Sequence, residues 1–514
     1  MMNAARFISF WTGFCSLSLE IAWIRLYGYA NQSTPRAFAY VLIIYLVGIA
    51  IGAQIGKKVC QNSDSYTIKK SAVIALALCA PIASISPWLY LVSKNYALDD
   101  LAAPVGIFLS GACFSVLFPI THHLGTLSET SEKLHTGRHF SRVYILNVVG
   151  AAMGPLVTGY ILLEWLTITE IFPVISIIIA VVAIAAWSSY KKSNHLTLST
   201  ITLASLLVAF GFGYISWENS EVFAKEFAVT EGRKIVAMHE GRHGIIAIAE
   251  EPASPRQPFT DYVVYGGNVY DGKTNVDLER NTNGLERPLA LHVLQPAAKN
   301  ILILGLSIGS WLAVVEGFPG VEKIDVIEIN PGYLQLARKF DAQRRALEDS
   351  RVSIYIDDAR RWLQYHPEKK YDLVLMNTTW HWRANSSMLL SQEMMKIARN
   401  HLTENGILAF NATGSVDAFF TASTVFKEVR RYQNFIYGAN WNPFDAAGRP
   451  EAWSALQNVT VDKKIGFTPH SKAIEKFSKI PFIKPQEDMR KLNRQPEVIT
   501  DNNMLVEYKY GRRN

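Results

Sequence analysis

The chain has 514 residues, 49% of them hydrophobic, and a formal net charge of +7. That length exceeds a single domain, and the positive mean hydropathy is not that of an ordinary soluble enzyme. The cations are spread thinly with no dense Lys/Arg run, so no nucleic-acid footprint is present.

The four cysteines, Cys15, Cys60, Cys79 and Cys113, form no C-x-x-C pair and indicate neither a zinc site nor a disulfide framework. No metal is expected. The apolar excess lies in the first 217 residues, in blocks at roughly 7–27, 37–55, 72–92, 102–124, 143–163, 168–187 and 198–216. Each is near the ~20 residues a helix needs to cross a hydrocarbon core. Helix is the open-ended solution, because lipid cannot satisfy exposed backbone groups. The first block lacks a small-residue cleavage site and reads as a retained anchor. Residues 1–217 are therefore expected to form an all-α multi-pass membrane domain of about seven helices, with the lipid bilayer as a partner.

Gly48 with Gly52, and Gly150 with Gly154, have the spacing that lets helices approach closely. Glu20, Arg25 and Asn147 are polar residues in or at the end of apolar blocks. They mark either a solute path or internal structural contacts. His122, His123, His135 and His139 surround the fourth loop without ligand spacing and read as solvated.

Composition changes at Trp217. Residues 218–295 read as a small β-rich region, with alternating runs at 227–249, a strand at 261–265 and then a helix. Residues 296–514 alternate strands and helices, which implies a parallel sheet covered on both faces. The first unit is the clearest: the apolar run Ile301–Leu304, a turn bracketed by Gly305 and Gly309, a helix, and a second strand ending in Glu328. Strand, glycine turn, helix, strand and acid make a nucleoside-binding βαβ unit. Later strands end at Asp357-Asp358 and at Asn377. Ligands of such sheets sit at the carboxyl ends of the strands, so Gly305, Glu328, Asp358 and Asn377 should share one crevice. One of Asp357 and Asp358 also reads as a helix N-cap.

The segments ILILGLSIGS, IDVIEINP, VSIYIDDARRWL, YDLVLMN and LLSQEMM, in that order, resemble the spermidine synthase family, and the chain is most similar to its membrane-fused, multi-pass members. The run from Val498 to Tyr508 resembles the closing segment of that family. The resemblance implies a Rossmann-like domain binding S-adenosylmethionine or its decarboxylated form as co-substrate. Gly305, Ser307 and Gly309 would line it, Glu328 would hold the ribose hydroxyls, and Asp358 with Ala359 would face the adenine. Two positions depart from the family. Ile308 stands where an acid usually meets an ammonium, and Asn377 where an aspartate usually helps deprotonate the amine. A different substrate is one consequence and a shifted alignment the other.

The loop after Asn377 carries Trp380, His381, Trp382 and Arg383. The tryptophans suit stacking on a sulfonium, His381 suits general base work, and Arg383 suits a carboxylate. A loop packing its tryptophans is the alternative. Tyr265 and Tyr270 are placed in the substrate pocket wall.

The implied activity is alkyl or aminopropyl transfer, or intramolecular cyclisation or elimination, releasing 5′-methylthioadenosine. The alternatives are an S-adenosylmethionine-dependent methyltransferase, and a polyamine transporter or sensor with a nucleoside-binding regulatory domain. A homo-oligomer is left open. Counting cations by loop puts the C-terminal half outside the cell. A cytosolic co-substrate requires the cytoplasmic side, which is preferred, at a bacterial inner membrane.

Overall fold

Each apolar block folds as a helix long enough to cross a membrane: α1 (Met2–Ala30), α2 (Pro35–Asn62), α3 (Ser65–Lys94), α4 (Asp99–Thr126), α5 (Thr136–Val157, prolonged through Trp165), α6 (Ile168–Ser189) and α7 (Leu196–Glu218). The computed structural model describes residues 2–126, 136–189, 196–255, 257–377, 380–504 and 506–510. Its two compact units are Met1–Ala228 with Glu240–Arg242, and Val229–His239 with His243–Asn514.

In the helical unit, the small residues let backbones meet. A Cβ on Gly52 would lie 2.1 Å from the carbonyl oxygen of Ala112 on α4, and one on Gly150 would lie 2.0 Å from that of Phe10 on α1. Polar side chains tie the same contacts: Asn147 Nδ2 donates to the Ser9 carbonyl at 2.9 Å, and Ser9 Oγ to the Val143 carbonyl at 3.0 Å. Asn147 thus makes a structural contact between α1 and α5. Ile43, Leu46, Leu156, Leu207 and Phe210 lie exposed on the outside, an arrangement suited to lipid as solvent. His122 corrects the reading of solvated histidines. It is buried on α4, with Phe118 and Phe140 ring centroids 4.2 and 4.9 Å away. His135 and the side chain of His139 lie outside the described residues.

The second unit begins with a four-stranded antiparallel meander, β1 (Ile235–Gly241), β2 (Gly244–Glu251), β3 (Asp261–Gly266) and β4 (Val269–Lys273). After α8 (Glu286–Leu294) comes the main sheet: β5 (Asn300–Leu304), β6 (Lys323–Glu328), β7 (Val352–Ile356), β8 (Tyr371–Met376), β9 (Leu402–Asn411), β10 (Glu428–Tyr432) and β11 (Phe435–Ala439). Its order is β10-β11-β9-β8-β5-β6-β7. Strands β5 to β9 are parallel, as the alternation of elements requires. The last two correct the all-parallel expectation: β10 and β11 form an antiparallel hairpin added beside β9.

Alternation along β5 explains its continuous apolar run. Ile301 and Ile303 enter one core, and Leu302 and Leu304 the core on the opposite face. The meander alternates in the same way: Ile246, Ile248 and Val264 pack with Ile308 and Leu336, whereas Ala247, Ala249, Val263 and Tyr265 cluster on the other face.

One polar group is built into the main sheet. Asp325 on β6 is 1% exposed, and its Oδ2 accepts from Tyr371 Oη at 2.6 Å and Lys369 Nζ at 2.9 Å. Asp325→Ala leaves the ammonium and the hydroxyl without their anion. A loss of about 3 kcal/mol is expected, with Asp325→Asn milder, read from thermal unfolding of the solubilised chain.

Candidate active site

Strand β5 lies at the point where the sheet reverses direction: β6 and β7 extend to one side, β8 and β9 to the other. Loops leaving such a point diverge and open a crevice. Gly305 follows β5 with φ +86°, and a Cβ there would lie 2.9 Å from the Asn377 carbonyl oxygen. Glycine is required both for the angle and for the approach to the end of β8. Ser307 shares the left-handed region at φ +50°, a strain of the kind that collects at functional sites.

Glu328 ends β6 and is 4% exposed. Its Oε2 accepts from the Leu306 N–H at 2.7 Å and its Oε1 from the Asn330 N–H at 2.8 Å. Each oxygen retains a lone pair for a ribose hydroxyl. Burial pushes the carboxyl up to about 7, against the backbone donors that stabilise its anion. Asp358, after β7, is exposed and caps the helix α9 (Ala359–Tyr365) by accepting from the Arg361 N–H at 2.8 Å. The capping role therefore falls to Asp358 itself.

These groups converge. Gly305, Ser307 and Glu328 line a cleft together with Asp358, Ala359, Asn377 and Arg383. Arg383 also donates to the Gly266 carbonyl at 3.1 Å. A second cleft adjoins it and shares Ser307 and Asn377. Tyr270 and Trp380 line this second cleft, with Trp380 Nε1 donating to the Tyr270 carbonyl at 3.1 Å.

The remaining sequence-chosen residues stand elsewhere. Gly309 lines neither cleft and starts the helix after the turn. His381 is 3% exposed, with Nδ1 2.7 Å from Thr413 Oγ1, and Trp382 is buried; neither lines a cleft. That burial corrects both roles: His381 is packed away from the proton it was to take. Tyr265 is corrected likewise. It lies on the face of β3 away from Ile308, where its hydroxyl accepts from Arg233 Nη1 at 3.2 Å.

Asp271 is the residue that sequence reasoning missed. It sits on β4 and lines both clefts. Tyr333 Oη donates to its Oδ2 at 2.6 Å, and Ser307 Oγ to its backbone carbonyl at 3.2 Å. Burial raises its pKa, while the Tyr333 hydrogen bond and the Arg383 charge oppose the rise. The available signal was its position: an acid directly after Tyr270 in the last strand of the β-rich region. The closing segment also contributes. Asp501 pairs with Arg360 of the first cleft, and Glu507 accepts from the N–H groups of Asn385 (2.9 Å) and Ser387 (2.8 Å) in the cleft's loop.

The fold is that of a doubly wound, Rossmann-like domain with a crevice at its switch point. Comparison with known proteins takes this further. Residues 288–439 match the model of the spermine/spermidine synthase domain. It is 29% identical over 199 residues to a polyamine aminopropyltransferase of Saccharolobus solfataricus, covering 36% of this chain and 65% of that protein. It is 21% identical over 424 residues to one of Oceanobacillus iheyensis, covering 79% of this chain and 76% of that protein. The second alignment extends beyond the 286 residues that follow Ala228 (514 − 228) and so enters the helical unit. A spermidine synthase structure from Thermotoga maritima is similar at 17% identity and a TM-score of 0.38, covering 48% of this chain and 85% of that one.

The state of Glu328 sets a pH dependence. With the ribose role expected from the sequence, its anion is the accepting form, and adenosine affinity should rise from about pH 6 to about pH 8 as the carboxyl ionises. For stability the sign is opposite. The folded chain holds this proton to higher pH than the unfolded chain, so the contribution of Glu328 falls between its ordinary pKa and about 7. Glu328→Gln should flatten the binding profile and weaken adenosine by about 1–3 kcal/mol, measured by titration calorimetry.

Proposed function

We propose that the chain catalyses alkyl transfer of the spermidine synthase type from an S-adenosylmethionine-class sulfonium, decarboxylated or intact, releasing 5′-methylthioadenosine. One observation carries this reading: Asp271 lies where the cleft of Glu328 meets a second cleft lined by Tyr270 and Trp380. The domain match and the polyamine aminopropyltransferase relatives support it.

A sulfonium is already activated, because its leaving group is a neutral thioether. What remains for the protein is alignment and removal of one proton. Gly305, Glu328 and Asp358 hold the nucleoside, which fixes the sulfur at the junction of the clefts. The attacking amine nitrogen forms a bond to the methylene carbon beside sulfur. The carbon–sulfur bond breaks with its electron pair left on sulfur, and the amine proton passes to Asp271. Its buried carboxyl binds that proton more tightly than an exposed one would. Asn377 cannot accept a proton at neutral pH and acts as a polar wall shared by both clefts. Arg383 on the first cleft would accommodate the carboxylate of the undecarboxylated donor. Supply of this donor places the second unit on the cytoplasmic side, with the seven helices in the bilayer.

The test is product analysis by mass spectrometry. The purified chain is incubated with S-adenosylmethionine or its decarboxylated form, with and without an added amine. Release of 5′-methylthioadenosine is expected, with a roughly hundredfold or greater loss in Asp271→Asn. S-adenosylhomocysteine would instead establish methyl transfer. Binding of the donor without turnover would overturn the enzymatic reading in favour of a sensor.

A further inference from the structure

The charges of the second cleft do not match a diamine. Its charged lining residues are Asp271, Lys273 and Arg287. The Lys273 ammonium is already neutralised: it is bound to Glu251 and lies 3.8 Å from Asp261 Oδ2. Arg287 is different. Its Nε donates to the Gly284 carbonyl at 2.9 Å, its Nη2 to the Asn283 carbonyl at 3.2 Å, and its Nη1 to Asn434 Oδ1 at 2.9 Å. All three acceptors are uncharged, and among the described residues no carboxylate pairs with it. The guanidinium is instead held over the rings of Trp311 and Phe435, at 5.1 and 5.6 Å from their centroids. A guanidinium has five N–H donors, so these three bonds leave about two of them. It is rigidly placed, positive and open to a cleft.

We propose that this second cleft takes an acceptor with an amine at one end and a carboxylate at the other, an amino acid rather than a diamine, with Arg287 holding the carboxylate. The inference rests on the alkyl-transfer reading and names its acceptor class. Asp271, shared with the donor cleft, receives the amine end. Arg287 supplies the opposite charge that a carboxylate needs and that a second ammonium would meet as repulsion. Asn434 and Asn411 extend the polar wall beside it: Asn434 Nδ2 donates to Asn411 Oδ1 at 2.9 Å, and both residues line the cleft. Neither adds a negative charge for a diamine.

Putrescine and 4-aminobutanoate test this directly, since they share a four-carbon spacing and differ in charge at one end. Binding of each to the full-length chain is measured by calorimetry, with and without saturating 5′-methylthioadenosine. The wild type should favour 4-aminobutanoate by roughly tenfold or more. Asn434→Asp leaves Arg287 in place but gives it a carboxylate partner, and should cancel or reverse the preference. Arg287→Gln should do the same, and Asn434→Asp guards against a folding defect in that variant. A wild-type preference for putrescine, binding of neither compound, or a preference that survives Asn434→Asp would each overturn the inference. If 5′-methylthioadenosine binds while 4-aminobutanoate does not, only the acceptor assignment falls. If 5′-methylthioadenosine does not bind, the donor reading falls.

Discussion

The bond from the Leu306 N–H to Glu328 Oε2 carries the β5–β6 pairing one step past the last backbone bond, Gly305 N–H to the Ile327 carbonyl at 2.9 Å, and into the turn. β5 and β6 run parallel, and their loops leave in the same direction. The turn contains Gly305 at φ +86° and Ser307 at φ +50°, and its one internal backbone bond, Gly309 N–H to the Leu306 carbonyl at 3.0 Å, closes only its far end. An acid buried at the end of the neighbouring strand fixes the near end, because a desolvated carboxylate must collect donors, and the turn's own N–H is the nearest. The geometry that shapes the turn also leaves unused lone pairs on Glu328 facing the crevice. Stabilising the turn and presenting a carboxylate to the crevice are thus one arrangement, and burial that lifts Glu328 towards about 7 is its physical cost.

The parts of the molecule legible in sequence are those set by local pattern. Strands β5 to β8 each combine an apolar run with a chemically distinct end residue, and the crevice formed by Gly305, Glu328, Asp358 and Asn377 follows from the rule that such ends converge. The hairpin β10–β11 was not legible. Its turn is Gln433-Asn434, with Gln433 at φ +56°, and it lacks the Asn-Gly or Asp-Gly signal that usually marks a two-residue hairpin loop. Tyr265 and His381 show a second limit. Whether a side chain faces a cleft or a core depends on which neighbour packs behind it, and Arg233 and Thr413 lie 32 residues from Tyr265 and His381 respectively. Asp271 shows a third: its importance comes from a contact with Tyr333 across 62 residues.

The helical unit obeys different physics. Its helices are long and apolar enough to cross a membrane, and small residues and hydrogen bonds join them at their contacts. Gly52 against α4 and Gly150 against α1 provide close approach, and the Asn147–Ser9–Val143 bonds add polar links at the second contact. The burial of His122 fits the same logic. Its Nδ1 lies 2.7 Å from the Phe118 carbonyl one turn earlier, so the ring can be enclosed by aromatic neighbours without abandoning its polar atom.

Ile308 resolves the apparent loss of an acid from the glycine turn. The side chain is 2% exposed and packs with Ile246, Ile248 and Val264 of the meander, and with Leu336 and Ala337 from the helix after β6. A carboxylate there would be driven into an apolar contact with no donor to meet it. The isoleucine instead docks the meander on the main sheet, and the meander carries Asp271. The negative charge that the turn lacks is therefore brought to the crevice from β4, held by Tyr333, at the seam between the clefts. Position matters more than count here. Ile308 in the glycine turn borders the second cleft alone, whereas Asp271 on β4 borders both. The same docking contact sets the distance between the main sheet that carries Glu328 and the strand that carries Asp271.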